Sequence, residues 1–96
     1  MIVSFGDVAT ADLHHGRRTA RVRRYPPAVR AAALRKLDVL DAAASLQDLL
    51  APPGNRLEVL RGDLLGFHSI RVNEQWRIVF RWVSGDAHEV RLADYH

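Results

Sequence analysis

An α+β fold is what this 96-residue chain predicts, with an N-terminal strand and two main helices packed on one face of a mainly antiparallel sheet. Two observations carry that expectation. Apolar residues recur at helical spacing in the first half of the chain and at alternate positions in the second. The alternating segments are joined by connections so short that neighbouring strands must run antiparallel. The length allows one hydrophobic core, so residues 1–96 read as a single domain.

The elements follow in order. Ile2, Val3 and Phe5 form an apolar run too short for a helix and read as a first strand. Asp7 is a suitable N-cap and Gly16 a suitable stop for a short helix between them. "RRTARVRRY" reads as an arginine-dense connection. Pro26 and Pro27 suit a helix's first turn, where the N–H that proline lacks has no partner anyway. Val29, Ala33, Leu37, Leu40 and Ala44 then lie on one face of a helix running to about Ala44. Ser45 with Asp48 resembles a capping box, and "APPGN" closes that turn. Arg56–Leu60, Phe67–Val72, Gln75–Trp82 and Ala87–Ala93 read as four strands. In the third of them Trp76, Ile78, Phe80 and Trp82 alternate with Arg77, Val79 and Arg81. The aromatic face belongs under the helices, which leaves Arg77 on the opposite face, expected to be open to solvent.

Composition narrows the function. Apolar and charged residues stand at 48% and 26%, close to the soluble globular average, so wholesale disorder is not expected. The absence of cysteine removes disulfides and thiolate metal sites. No apolar run approaches membrane-spanning length and the N-terminus lacks the pattern of a secretion signal, so a cytoplasmic location is expected. Thirteen of the fourteen basic residues are arginine, whose planar fork matches phosphate oxygens in pairs. A polyanionic partner is one reading; GC-rich coding is the other, since the net charge is only +3.

Candidate chemistry sits in few places. The chain closes on Asp94, Tyr95 and His96, after a strand expected to neighbour the one bearing Arg77. A histidine that passes protons, a tyrosine that orients a hydroxyl and an arginine that receives developing phosphate charge suffice for a metal-free ribonuclease. A frayed end without a role is the competing reading of the same residues. Glu58 is a second candidate base, opposed by a plain solvated strand residue, and Arg61 can reach phosphate from an adjoining turn. Arg17, Arg18, Arg21, Arg23 and Arg24 form a cluster suited to RNA or ribosome contacts, or to docking an acidic protein. His14 and His15 lack metal-pair spacing and read as surface residues, while His68 reads as a core-edge histidine. There is no metal-ligand motif or phosphate-cradling glycine loop, and no cofactor is expected.

"LEVLRGDLLGFHSIRVNEQWRIVFRW" and the terminal "RLADYH" together resemble HigB-type toxins of the RelE superfamily, also called plasmid maintenance system killer proteins. The resemblance extends from "IVSF" to the last residue, and "V-N-x-x-W-R-I" combined with "D-Y-H" is its most specific part. It implies a microbial-ribonuclease-like domain that enters the ribosomal A site and cuts mRNA. It also implies a HigA-like helix-turn-helix antitoxin as partner, with DNA bound only through the complex. Site roles transfer to His96 for proton transfer, Tyr95 for the 2′-hydroxyl and Asp94 for positioning. Arg77 and Arg61 would stabilise phosphorane charge. Many relatives carry histidine where this chain has Glu58, in "E-V-L-R-G". Either Glu58 replaces that histidine as base, or the site is weakened toward a catalytically silent member that binds antitoxin or ribosome.

Overall fold

The structure is a computed structural model and describes residues 1–94. Its helices are α1 (Val8–His14), α2 (Ala20–Arg23) and α3 (Pro27–Ala42). Its strands are β1 (Glu58–Val59), β2 (Phe67–Arg71), β3 (Trp76–Val83) and β4 (Asp86–Asp94), antiparallel in the order β1-β2-β3-β4.

The N-terminal segment meets the free edge of β4 in parallel, through bridges Ile2↔Ala87 and Phe5↔Val90 rather than a full strand. Between those bridges Glu89 has a positive φ of 53° and the β3–β4 register shifts near Val79 and Arg81. A bulge of this kind breaks a regular ladder, which is why the expected first strand is reduced to two bridges. Gly6 lies so close to β4 that an added Cβ would stand 2.9 Å from the Glu89 carbonyl. The β3–β4 hairpin turns on Ser84 and Gly85, both at positive φ, the conformation that two-residue hairpins require.

The helix termini follow the sequence cues. Asp7 caps α1 by accepting from Thr10 N at 2.8 Å, and Ser45 and Asp48 form the reciprocal capping box of a 3-10 turn over Leu46–Leu50. The arginine-dense connection differs from expectation: Thr19 accepts from Val22 N and caps one helical turn, α2, which buries Val22.

Val29, Ala33, Leu37 and Leu40 of α3 are buried against Ile70, Ile78, Phe80, Val90 and Leu92 of the sheet. Each fully buried Leu or Phe removes enough apolar surface to contribute about 1.5–3 kcal/mol. At the end of α3 the buried residue is Ala43; Ala44 is exposed.

The opposite face of the sheet is not open. Arg77 is only 8% exposed and Val79 1%. Arg77 leans across β2 toward the edge strand, bonding Ser69 of β2 and, through Nη2, the carbonyl of Arg56 just ahead of β1. Asn55 anchors the segment ahead of β1. Fully buried, it accepts from Lys36 Nζ of α3 and donates to the carbonyls of Leu49 and Ala51 at 3.2 and 3.1 Å. A buried amide with its donors and acceptor satisfied costs little and fixes the loop to the helix.

Candidate active site

Register assembles one face of the sheet. Glu58 lies opposite Ser69, Ser69 opposite Val79, and Val79 opposite Arg91, so the four form a row across all four strands. The adjacent row on that face is Arg71, Arg77 and Ala93. Arg77 leans diagonally onto Ser69, donating from Nε to its hydroxyl at 2.8 Å, and from Nη2 to the Arg56 carbonyl at 2.6 Å and the Ser69 carbonyl at 3.4 Å. Its Nη1 stands 3.8 Å from Glu58 Oε1. Beside this guanidinium opens a cleft of about 270 Å³, lined by Arg56, Glu58, Arg71, Asn73, Glu74 and Arg77.

The cleft is basic and held from several sides. Arg71 is pinned along the β2–β3 turn by donating from Nε to the Asn73 carbonyl at 3.1 Å. The Asn73 side chain in turn accepts from Gln75 N and Trp76 N, both at 2.8 Å, fixing the turn. Four arginines, Arg56, Arg71, Arg77 and Arg91, occupy this face against the carboxylates of Glu58 and Glu74, so an anionic backbone is attracted to it.

Of the candidates from sequence, Glu58 and Arg77 are brought together. Arg61 is exposed at the start of the Gly62–Leu64 turn and is not among the residues lining the cleft. Asp94 lies opposite Trp76, on the other face by register, and accepts from Gln75 Nε2 at 3.0 Å. Tyr95 and His96 lie outside the described residues. Ser69, Arg56, Arg71, Asn73 and Glu74 have no site role in the sequence reading. Asn73 carries a signal as the asparagine of "V-N-x-x-W-R-I", and Ser69 as a small hydroxyl two residues before Arg71.

Four of the five arginines in the cluster divide into two pairs, while Arg24 lines a separate cleft with Asp7, Val8 and Tyr25. Arg17 and Arg21 pair with the buried Asp12 at 3.3 and 3.5 Å, and Thr19 donates to the same carboxylate at 3.0 Å. Burial pushes the Asp12 pKa up, but the hydrogen bonds from Thr19 and Arg17 and the charges of Arg17 and Arg21 prevail and hold it below its ordinary value. Arg18 and Arg23 instead line a cavity of about 300 Å³ with Val22 and Arg30. His68 stacks on Phe80 at 5.9 Å, and burial lowers its pKa. His14 is half-buried against Phe5 rather than fully on the surface. Among the described residues no cluster of His, Cys, Asp or Glu could hold a metal ion, and no helix is long and apolar enough to cross a membrane.

Helices packed on one face of a four-stranded antiparallel sheet form a fold that solved bacterial toxins match. A solved YoeB–YefM complex from Staphylococcus aureus matches the whole chain and 98% of its own with a TM-score of 0.61 at 14% identity, a likeness of fold. The model of the HigB-like toxins, the RelE-like toxins of type II toxin–antitoxin systems, matches residues 14–96, and the chain belongs to that family. It is 52% identical over 67 residues to Toxin HigB-1 of Vibrio cholerae, covering 70% of each chain. Over 65 residues it is 37% identical to Endoribonuclease HigB of Proteus vulgaris, covering 64% of this chain and 65% of that one.

Proposed function

We propose that this toxin is an endoribonuclease that cuts mRNA in the ribosomal A site and so arrests translation and growth. The observation that carries the reading is the Arg77 guanidinium, fixed at the edge of a basic cleft with Glu58 beside it. In the reaction a base takes the proton of a ribose 2′-hydroxyl. That oxygen bonds to the adjacent phosphorus, and the P–O5′ bond breaks as an acid protonates the leaving oxygen. Arg77 receives the charge that builds on the phosphorane, with Arg61 reaching in from its exposed turn outside the cleft. Glu58 and His96 divide the base and acid roles, Tyr95 orients the 2′-hydroxyl and Asp94 positions its neighbours. Because the nucleophile belongs to the RNA, no metal is required. The relative named as an endoribonuclease supports this reading.

The partner is a HigA-like helix-turn-helix antitoxin that silences the toxin in the cytoplasm and carries the complex to DNA. A second reading, a silent member that binds antitoxin or ribosome without cutting, draws on the closeness of Glu58 to the Arg77 edge that a phosphate would use.

Primer extension on mRNA from cells expressing the toxin or its His96→Gln variant tests the choice. Expected are new in-frame cuts in translated regions, absent from the variant and when initiation is blocked. Uncut messages with unimpaired growth overturn the nuclease reading.

A further inference from the structure

We propose that Ser69 and the backbone carbonyl of Arg56 are positioning groups that aim Arg77, presenting one edge of its guanidinium to the scissile phosphate; this rests on the role given to Arg77 above. A guanidinium carries five N–H donors. Nε and Nη2 are engaged by the Ser69 hydroxyl, the Ser69 carbonyl and the Arg56 carbonyl. Nη1 makes no hydrogen bond among the described residues; its nearest partner is Glu58 Oε1, at 3.8 Å. The donors thus sort: Nε and Nη2 are bonded to the protein, and the Nη1 pair has no hydrogen bond among the described residues, on a side chain that lines the cleft.

The bracing groups are themselves held in ways that packing alone does not explain. Ser69 is fully buried in the middle of β2, at a position where an apolar side chain would fill the same space and leave Nε unsatisfied. Arg56 adopts φ 44° and ψ 58°, the left-handed region that residues with a Cβ rarely occupy. This conformation sits one residue after the buried Asn55, which ties the loop to α3 through Lys36. An unfavourable backbone persists only where its surroundings over-determine it, and here it accompanies a carbonyl bonded to Arg77. A bracket of this kind pre-orders the cation for the charge that appears in the transition state, so its loss falls on the chemical step more than on RNA binding.

The test measures single-turnover cleavage of mRNA on programmed ribosomes, at saturating toxin and across toxin concentrations. The proteins are wild type, Ser69→Ala, Ser69→Thr, Arg77→Ala and the Ser69→Ala/Arg77→Ala double variant, with melting temperature and antitoxin binding recorded for each. Expected for Ser69→Ala is a fall of roughly 10- to 100-fold in the saturating rate, with the half-saturating concentration nearly unchanged. Ser69→Thr, which keeps the acceptor, recovers most of that loss, and the double variant is no slower than Arg77→Ala. A pair in the exposed loop guards against misfolding at β2: Arg56→Val, which resists the left-handed backbone, is expected to be slower at saturation than Arg56→Gly, which accepts it. A wild-type rate in Ser69→Ala while Arg77→Ala is inactive overturns the positioning role alone. An equal further loss from Ser69→Ala in the Arg77→Ala background also overturns it, because Ser69 would then act independently of Arg77. A wild-type rate in Arg77→Ala overturns the nuclease role of Arg77 and this proposal with it.

Discussion

Glu58 Oε1 stands 3.8 Å from Arg77 Nη1, near enough for attraction and beyond hydrogen-bonding distance, with the carboxylate 53% exposed. At that exposure the pair contributes about 0–1 kcal/mol to stability. Its importance is local, since the carboxylate shares the guanidinium edge that an incoming phosphate needs.

Glu58→Gln therefore separates two roles. If Glu58 is the base, cleavage falls by roughly 10²- to 10⁴-fold while RNA affinity holds or rises, because a negative charge has left the cleft. Glu58→His restores a base and is expected to recover activity. A Glu58→Gln variant that cuts at or above the wild-type rate removes Glu58 from proton transfer and makes it a competitor for Arg77. Cleavage assays with filter binding distinguish these outcomes.

Asp12 makes stability depend on acid. Its folded pKa lies below the ordinary 3.8, so its contribution is complete above that value and is lost as pH falls through the lower folded pKa. Urea unfolding of wild type from pH 6 to pH 2.5 is expected to show this loss, and Asp12→Asn to lack it while being less stable at pH 6. Thr19→Ala removes the α2 cap and a donor to the same carboxylate, and is expected to cost about 1 kcal/mol.

His68 works at a higher pH and in the same direction. Burial lowers its folded pKa below 6.5, so the unfolded chain binds the proton more tightly. Stability should fall as pH drops below about 6.5 and level off beneath the folded value. His68→Leu keeps an apolar contact on Phe80 and should flatten that limb of the unfolding profile.

The two pairs within the arginine cluster should respond differently. Arg18→Ala with Arg23→Ala is expected to weaken RNA association and to reduce its salt dependence by about 0.7 in log–log slope for each phosphate no longer neutralised, with melting unchanged. Arg17→Ala with Arg21→Ala is expected to lower the melting temperature, because Asp12 is left buried with Thr19 as its one remaining side-chain partner. Filter binding across salt concentrations and thermal melting check the pair.

Local rules make much of this fold legible. Periodicity places α3 within two residues of its observed end, and capping chemistry marks Asp7, Ser45 and Asp48 from residue type alone. Alternation on β3 assigns Trp76, Ile78 and Phe80 to the helix side correctly. It also places Arg77 on the other face, but cannot tell that this face is covered. Arg77 is buried with the bonds it makes across β2 to the Arg56 carbonyl, in a loop tied to α3 by Asn55 and Lys36, nineteen residues apart in the chain. α2 is hidden because four residues give no period, and its stabilising carboxylate, Asp12, lies outside it. The family motif points to Arg77 and Glu58, which the structure brings together. The Arg56 carbonyl is harder to find because a backbone acceptor has no signature in the side-chain sequence.

The parallel bridges that join residues 2 and 5 to residues 87 and 90 bear on how the toxin is made. During synthesis the opening segment emerges with no strand to pair with until β4 follows, more than eighty residues later. Until then β3 also lacks its neighbour on one side, and Arg91 is absent from the row that crosses Glu58, Ser69 and Val79. The basic face is thus completed only once β4 has been made. A nascent chain is spared from presenting a finished basic face while these strands are still being added.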